Sequence, residues 1–193
     1  MVKKKKSFNS SSGARKNKHA NLSAKVCIYT EEHLFAKLET EENPLILILD
    51  CLQDPHNLGA CLRTADAAGV TAVLSPRDKA VTITETVRKI ACGGAESVMF
   101  VQVKNLAECM KKLKTYGITI SGTSDRADKS FYDIDLTQPT ALVIGSEGKG
   151  MRRLTSDRCD NLCKLPMYGD VECLNASVST GIVLYEAVRQ RLN

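Results

Sequence analysis

Three stretches of this chain combine acids, amides, a guanidinium and glycines at spacings that could do chemistry. The first runs Asp50-Cys-Leu-Gln-Asp54-Pro55-His56-Asn57-Leu58-Gly59-Ala-Cys-Leu-Arg63. Asp54-Pro55 makes a turn, Asn57 is a natural helix N-cap, and Gly59 lets another chain or a ligand approach closely. Arg63 falls in the second turn of a helix face that is otherwise small and apolar. Helical side chains lean toward the N-terminus, so this guanidinium can reach back to the crevice at the strand end. The same residue types also suit a plain cap at Asn57 and a surface cation at Arg63, and this block alone leaves both readings open.

The second stretch, Ala-Leu-Val-Ile-Gly145-Ser146-Glu147-Gly148-Lys149-Gly150-Met151, runs from a buried strand straight into a glycine-rich turn. It has neither the Gly-Lys-Ser/Thr ending of a nucleotide P-loop nor the spacing of a dinucleotide fingerprint. Its glycines permit positive φ and leave backbone groups open to a ligand, with the Glu147 carboxylate facing the crevice. The third, Lys164-Leu165-Pro166-Met167-Tyr168-Gly169-Asp170-Val-Glu172-Cys173-Leu174-Asn175-Ala176-Ser177-Val178, leads through proline and glycine into a helix that opens with polar residues. Singly, Asn175 and Ser177 are helix-start residues.

The elements that must hold these stretches alternate between strand and helix. Leu45 to Leu49 is a continuous apolar run, the pattern of a strand covered on both faces. A helix carrying Leu58, Cys61, Leu62, Ala65 and Ala68 follows, ended by Gly69, and Val70 to Leu74 returns as a strand. Further strands are predicted at Val98 to Val103, Ile118 to Ser121, Ala141 to Ile144 and Leu162 to Leu165. Helices are predicted near Ile83 to Ala91, from Leu106 to Gly117, near Met151 to Cys159, and through Val178, Ile182, Tyr185 and Val188. The fold class is α/β with a mostly parallel, helix-covered sheet. Residues 1–24 read as a basic disordered arm, 25–43 as a lead-in with a short strand and helix, and 44–193 as the domain.

The formal charge is +5 over 193 residues, but residues 1–30 hold eight Lys and Arg and no acid, so the remainder is net acidic. Such an arm suits a phosphate backbone and equally a solvated tail. No run approaches the ~20 apolar residues of a membrane span, and no secretory signal is present, so the chain reads as soluble and cytoplasmic. The eight cysteines, several inside apolar segments, read as reduced and mostly buried thiols. Cys159 and Cys163 lack a second pair, and His19, His33 and His56 are scattered, so no metal site is expected.

In order and spacing the three stretches resemble the motifs of the SpoU-type branch of the SPOUT RNA 2′-O-methyltransferases. The similarity runs from about Pro44 to Arg191. The runs Asp-Pro-His-Asn-Leu-Gly-Ala-Cys-Leu-Arg, Gly-Met-Arg-Arg-Leu-Thr and Tyr-Glu-Ala-Val-Arg-Gln-Arg look like members acting on a guanosine of bacterial 23S ribosomal RNA. The resemblance implies a C-terminal deep trefoil knot, a homodimer with the active site completed at the subunit interface, S-adenosyl-L-methionine as cofactor, and RNA as partner. It carries over Asn57, Arg63, Glu147 and Asn175 as the catalytic and substrate-positioning set, with Thr123, Gly145, Leu165 and Leu174 against the cofactor. Two departures stand out: Cys173 occupies a position that is usually serine, and the ribosomal relatives carry an N-terminal RNA-binding domain where this sequence has only the basic arm. Transfer RNA is the alternative substrate, and a non-catalytic RNA-binding protein of the same fold is the rival of another class.

Overall fold

The computed structural model describes residues 26–192; the arm expected over residues 1–24 lies outside them. Strand β2 (Leu45–Asp50) is buried at every position. Leu45, Leu47 and Leu49 enter one core while Ile46 and Ile48 enter the other, because successive side chains leave a strand on opposite faces. Around it lie β1 (Ile28–Tyr29), β3 (Ala72–Pro76), β4 (Phe100–Val103), β5 (Thr119–Thr123), β6 (Thr140–Gly145) and β7 (Asn161–Cys163). They form one seven-stranded sheet in the order β1-β4-β3-β2-β6-β5-β7, and every pairing is parallel.

Helices cover both faces. Helices α2 (Pro55–Ala67), α3 (Glu85–Ala91), α4 (Gly94–Ser97) and α7 (Ala176–Arg191) close one core, and α1 (Glu31–Leu38) and α5 (Leu106–Thr115) the other. The segment before Pro44 joins the body directly: β1 pairs with β4, and α1 buries Leu34, Phe35 and Leu38.

Several local expectations give way to specific bonds. Helix α2 is capped by Asp54, whose side chain accepts the His56 N–H at 2.9 Å, with Pro55 pre-set for the first turn. Asn57 therefore lies inside the helix and is not its cap. The close approach at Gly59 is made by α3: a Cβ there would stand 2.7 Å from Ile90 Cβ. The helix expected from Ile83 starts at Glu85, since Thr84 accepts the Val87 N–H. In place of a helix from Met151 to Cys159 there is a single turn, α6 (Arg153–Ser156). Asp160 beyond it is taken by β5, exchanging bonds with the Ile120 backbone at 2.7 and 2.9 Å.

The sheet has a switch point. From β2 the chain moves outward through β3 and β4, and from β6 it leaves in the other direction toward β7. The connections after these two adjacent strands diverge, opening a crevice outside their carboxy ends, the usual ligand position in open α/β sheets. At the opposite end of the molecule Arg191 fastens α7, donating to the carbonyls of Leu136, Asn43, Pro44 and Gln138 at 2.8 to 3.3 Å.

Candidate active site

Asp50 and Gly145 face each other in register at the carboxy ends of β2 and β6. Asp50 is fully buried, and a charge there requires a partner. Arg152 supplies it: its backbone N–H reaches Oδ2 at 2.8 Å and its guanidinium reaches Oδ1 at 2.7 Å. The turn between Gly145 and Arg152 is thereby pinned to β2. Within it Ser146 and Gly150 exchange backbone bonds at 3.1 and 2.8 Å, with Gly148 and Gly150 at φ 75° and 66°. Gly145 has to be glycine because a Cβ would collide with the Gly150 backbone.

Glu147 stands at the tip of that turn. Its Oε1 accepts from Asn57 Nδ2 at 3.0 Å, Asn175 Nδ2 at 2.7 Å and the Ala176 N–H at 3.2 Å. Asn175 Nδ2 also donates to Asn57 Oδ1 at 3.0 Å, while Asn175 Oδ1 caps α7 by accepting from Ser177 and Val178. One residue from each of the three stretches thus meets the other two, and Asn57 is left only 6% exposed. Asn175 fills the capping role and the cross-loop role at once, one with its oxygen and one with its nitrogen.

Arg63, the fourth residue of the set, is exposed on α2 and its side chain makes no hydrogen bond or ion pair with a described residue. It is not among the partners of Glu147. Thr123 ends β5 and its hydroxyl donates to the Val143 carbonyl at 3.3 Å. Leu165, partly buried, lies just beyond β7, and Leu174, half-buried, precedes α7. Thr123, Gly145 and Leu165 therefore share one edge of the sheet. Cys173 is exposed with a free thiol. The thiol count departs from the expectation of mostly buried cysteines: Cys61, Cys109 and Cys163 are buried, whereas Cys27, Cys92 and Cys173 are exposed.

Asp50 and Arg152 are the site residues that spacing did not single out. The signal was present, since an acid ending a wholly apolar strand must find a cation. Beside them Cys51 sits at φ 62°. Burial, and then the Asp50 charge, push its thiol up, against the pull of Arg152 and Lys79, so it is no ready nucleophile. A cavity of about 510 Å³ lined by Val26, Ile83, Thr84, Glu85, Arg88 and Lys89 lies elsewhere and contains none of these residues. The cluster faces solvent on one side, since Glu147 and Asn175 are exposed, and Tyr168 in the loop before α7 is 98% exposed. Among the described residues no helix is long and apolar enough to cross a membrane.

A parallel α/β sheet with three loops converging at its switch point defines a ligand-binding domain of the open-sheet class. The chain belongs to the SpoU rRNA Methylase family, which matches residues 44–185. It is 58% identical over 152 residues to the 23S rRNA (guanosine-2'-O-)-methyltransferase RlmB of Pseudomonas putida, covering 79% of this chain and 61% of that one. Against the same-named protein of Pseudomonas aeruginosa identity is 55%, covering 85% and 66%. The chain spans about three fifths to two thirds of the length of these curated relatives. Among solved structures, the SpoU methyltransferase AviRb from Streptomyces viridochromogenes in complex with the cofactor AdoMet superposes with a TM-score of 0.75 at 30% identity, covering 81% of this chain and 61% of that one. The A. aeolicus TrmH/SpoU tRNA modifying enzyme gives 0.72 at 33%, covering 84% and 82%.

Proposed function

We propose that this chain transfers a methyl group from S-adenosylmethionine to a ribose 2′-hydroxyl of RNA, with a guanosine of 23S ribosomal RNA as the target. The observation that carries this reading is the meeting of Asn57, Asn175 and Ala176 on one oxygen of Glu147, beside the glycine turn at the sheet's switch point. The residues at this edge fit the cofactor by type: half-buried Leu165 and Leu174 suit the faces of a purine, and the side-chain-free Gly145 and the glycine turn offer backbone donors and acceptors.

When bound, the cofactor supplies an activated sulfonium methyl group. The protein's task is then alignment, because an in-line displacement needs nucleophile and methyl held in near-attack geometry, and the hydroxyl proton is released to solvent. Glu147, with Asn57 and Asn175, fixes the three loops in mutual register. Arg63, exposed and with no partner among the described residues, holds the phosphate next to the target ribose and polarises its hydroxyl; a guanidinium is a poor base, so positioning is its main role. RNA and not DNA is the substrate class, since only RNA offers the 2′-hydroxyl.

The working form in this reading is a cytoplasmic homodimer with the C-terminal trefoil knot of its family. Val178 and Tyr185 are about half exposed on α7 and, with Ile182, form an apolar stripe at helical spacing. A second copy covers this stripe and closes the open side of the cluster. Sedimentation of the protein and of Tyr185→Glu tests the pairing.

Incubating the chain with methyl-labelled S-adenosylmethionine and transcripts of 23S ribosomal RNA or transfer RNA tests the activity, with the modified site mapped as a 2′-O-methyl nucleotide. Label in the ribosomal transcript is expected. Label in transfer RNA alone would favour the second reading, which rests on the 82% coverage of a tRNA modifying enzyme. No cofactor binding by calorimetry would make the chain a non-catalytic RNA binder.

A further inference from the structure

Exposed cations on this chain differ in how they are used. On the helices many are paired, as in Lys37 with Glu41, Lys89 with Glu85 and Arg153 with Asp157. At the carboxy ends of β3 and β4 they are not. Arg77 and Lys79 after β3 and Lys104 after β4 are all exposed, and their side chains make no hydrogen bond or ion pair with a described residue. Asp78 is the only acid between Arg77 and Lys79.

The backbone holds these three groups in place. The Arg77 N–H donates to the Val103 carbonyl at 2.8 Å, fastening the end of β3 to the end of β4 and so bringing Lys104 alongside. The Val81 N–H donates to the Leu52 carbonyl at 2.8 Å, fastening the far side of the same loop to the segment that leaves β2 for the active site. Between these bonds Lys79 sits at φ 60°, a left-handed conformation that costs energy for a residue with a Cβ. Lys79 lies two residues before Val81, so this bond holds the loop that carries it beside the segment leaving β2. The other flank is different: Arg126 stands between Asp125 and Asp128, and Asp170 and Glu172 occupy the loop before α7. With Lys129 and Lys164 counted, that flank is still net acidic, whereas the β3 and β4 side sets three cations against Asp78.

We infer that Arg77, Lys79 and Lys104 form a docking surface for the phosphates of an RNA strand running away from the target ribose over the ends of β3 and β4. Neighbouring strands lie ~4.8 Å apart, so the ends of β4, β3 and β2 offer a track of about 10 Å leading to the cluster. The inference rests on reading the crevice as an RNA site. It adds the direction in which the strand leaves and the groups that hold it there.

The test is anisotropy of a fluorescein-labelled 20-nucleotide RNA hairpin titrated with the full chain at several salt concentrations. The variant Arg77→Gln, Lys79→Gln, Lys104→Gln is compared with Lys37→Gln, Lys89→Gln, Lys111→Gln, which removes the same charge from helices. Each phosphate contact contributes about 0.7 to 0.9 to the slope of log affinity against log salt, so the first variant is expected to flatten the slope by roughly 2 and to bind about tenfold more weakly at 0.15 M salt. The second is expected to keep the wild-type slope. Equal losses in both variants, or an unchanged slope in the first, would overturn the docking surface. These readouts concern binding alone: a chain that shows the slope difference but transfers no methyl group would sink the proposed activity and still support the surface.

Discussion

Asp50 and Arg152 lie 102 residues apart, yet the wholly buried carboxylate of one accepts both the backbone N–H and the guanidinium of the other. This pair joins the last residue of β2 to the end of the turn that carries Glu147. The Arg152 side chain is 45% exposed, so most of the desolvation falls on Asp50, and removing the arginine leaves a buried charge with one backbone donor. Arg152→Ala is expected to cost about 3 kcal/mol, read as a lower urea midpoint, and to weaken S-adenosylmethionine binding in calorimetry because the turn comes loose. Arg152→Lys keeps the charge but not the fork, and should recover only part of either loss.

Glu147 uses a single oxygen for its three donors. Glu147→Gln can present its amide oxygen to the same groups, so its thermal midpoint should stay within a few degrees of wild type. Glu147→Ala orphans the donors of Asn57 and Asn175 and should cost about 1 to 3 kcal/mol, Asn57 being almost fully buried. Glu147→Ala should lose methyl transfer, while Glu147→Gln, which keeps the acceptor, should retain most of it. A Glu147→Gln protein with normal kcat would show that the carboxylate acts only as an acceptor for the two asparagines.

Much of the fold is legible along the chain. The unbroken apolar runs of β2 and β6 can be satisfied only with both faces covered, and the spacing of Leu106, Met110 and Leu113 in α5 admits one buried side. The order of strands is not legible in this way, because β6 lies beside β2 through the path of the crossovers and not through any local pattern. The site divides similarly. Glycines at 148 and 150 announce positive φ, but Gly59 permits close approach by anything, and only the packing of Ile90 shows that the neighbour is α3. Asn57 has the chemistry of a cap, but Asp54 three residues earlier takes that role and frees the amide for Glu147. Residue type and spacing bring three loops to one edge; which amide donates to which oxygen is decided by tertiary geometry.

The thiols provide a pH-dependent test. Burial pushes Cys61 up to about 11, and burial is also the main cause that takes Cys109 and Cys159 up to about 12, from an ordinary value near 9. Below pH 9 these thiols are protonated in folded and unfolded chains alike, so their contribution to stability is fully present. Between pH 9 and 12 the unfolded chain releases protons that the folded chain retains, so stability falls as pH rises. The urea midpoint should therefore drop from pH 8 to pH 10.5, and Cys109→Ala should flatten that drop. At pH 8 iodoacetamide should label exposed Cys92 and Cys173 while sparing Cys61, Cys109 and Cys159, with S-adenosylmethionine protecting Cys173 and leaving Cys92 reactive.

Arg63 separates function from folding most cleanly, because its side chain is exposed and has no described partner to lose. Arg63→Ala should change stability by less than about 0.5 kcal/mol, the usual range for a surface position. If its guanidinium holds the phosphate beside the attacking oxygen, the same change should lower kcat on the RNA substrate by about a hundredfold, since a nucleophile displaced by an ångström loses most of its alignment. Arg63→Lys restores the charge, so KM for RNA should return to near the wild-type value, but a point charge cannot reproduce a two-pronged grip on phosphate and kcat should stay low. That split between KM and kcat distinguishes positioning at the reacting ribose from general attraction to RNA. Near-normal turnover of Arg63→Ala at saturating RNA would remove this residue from the site and leave the Glu147 cluster to act without it.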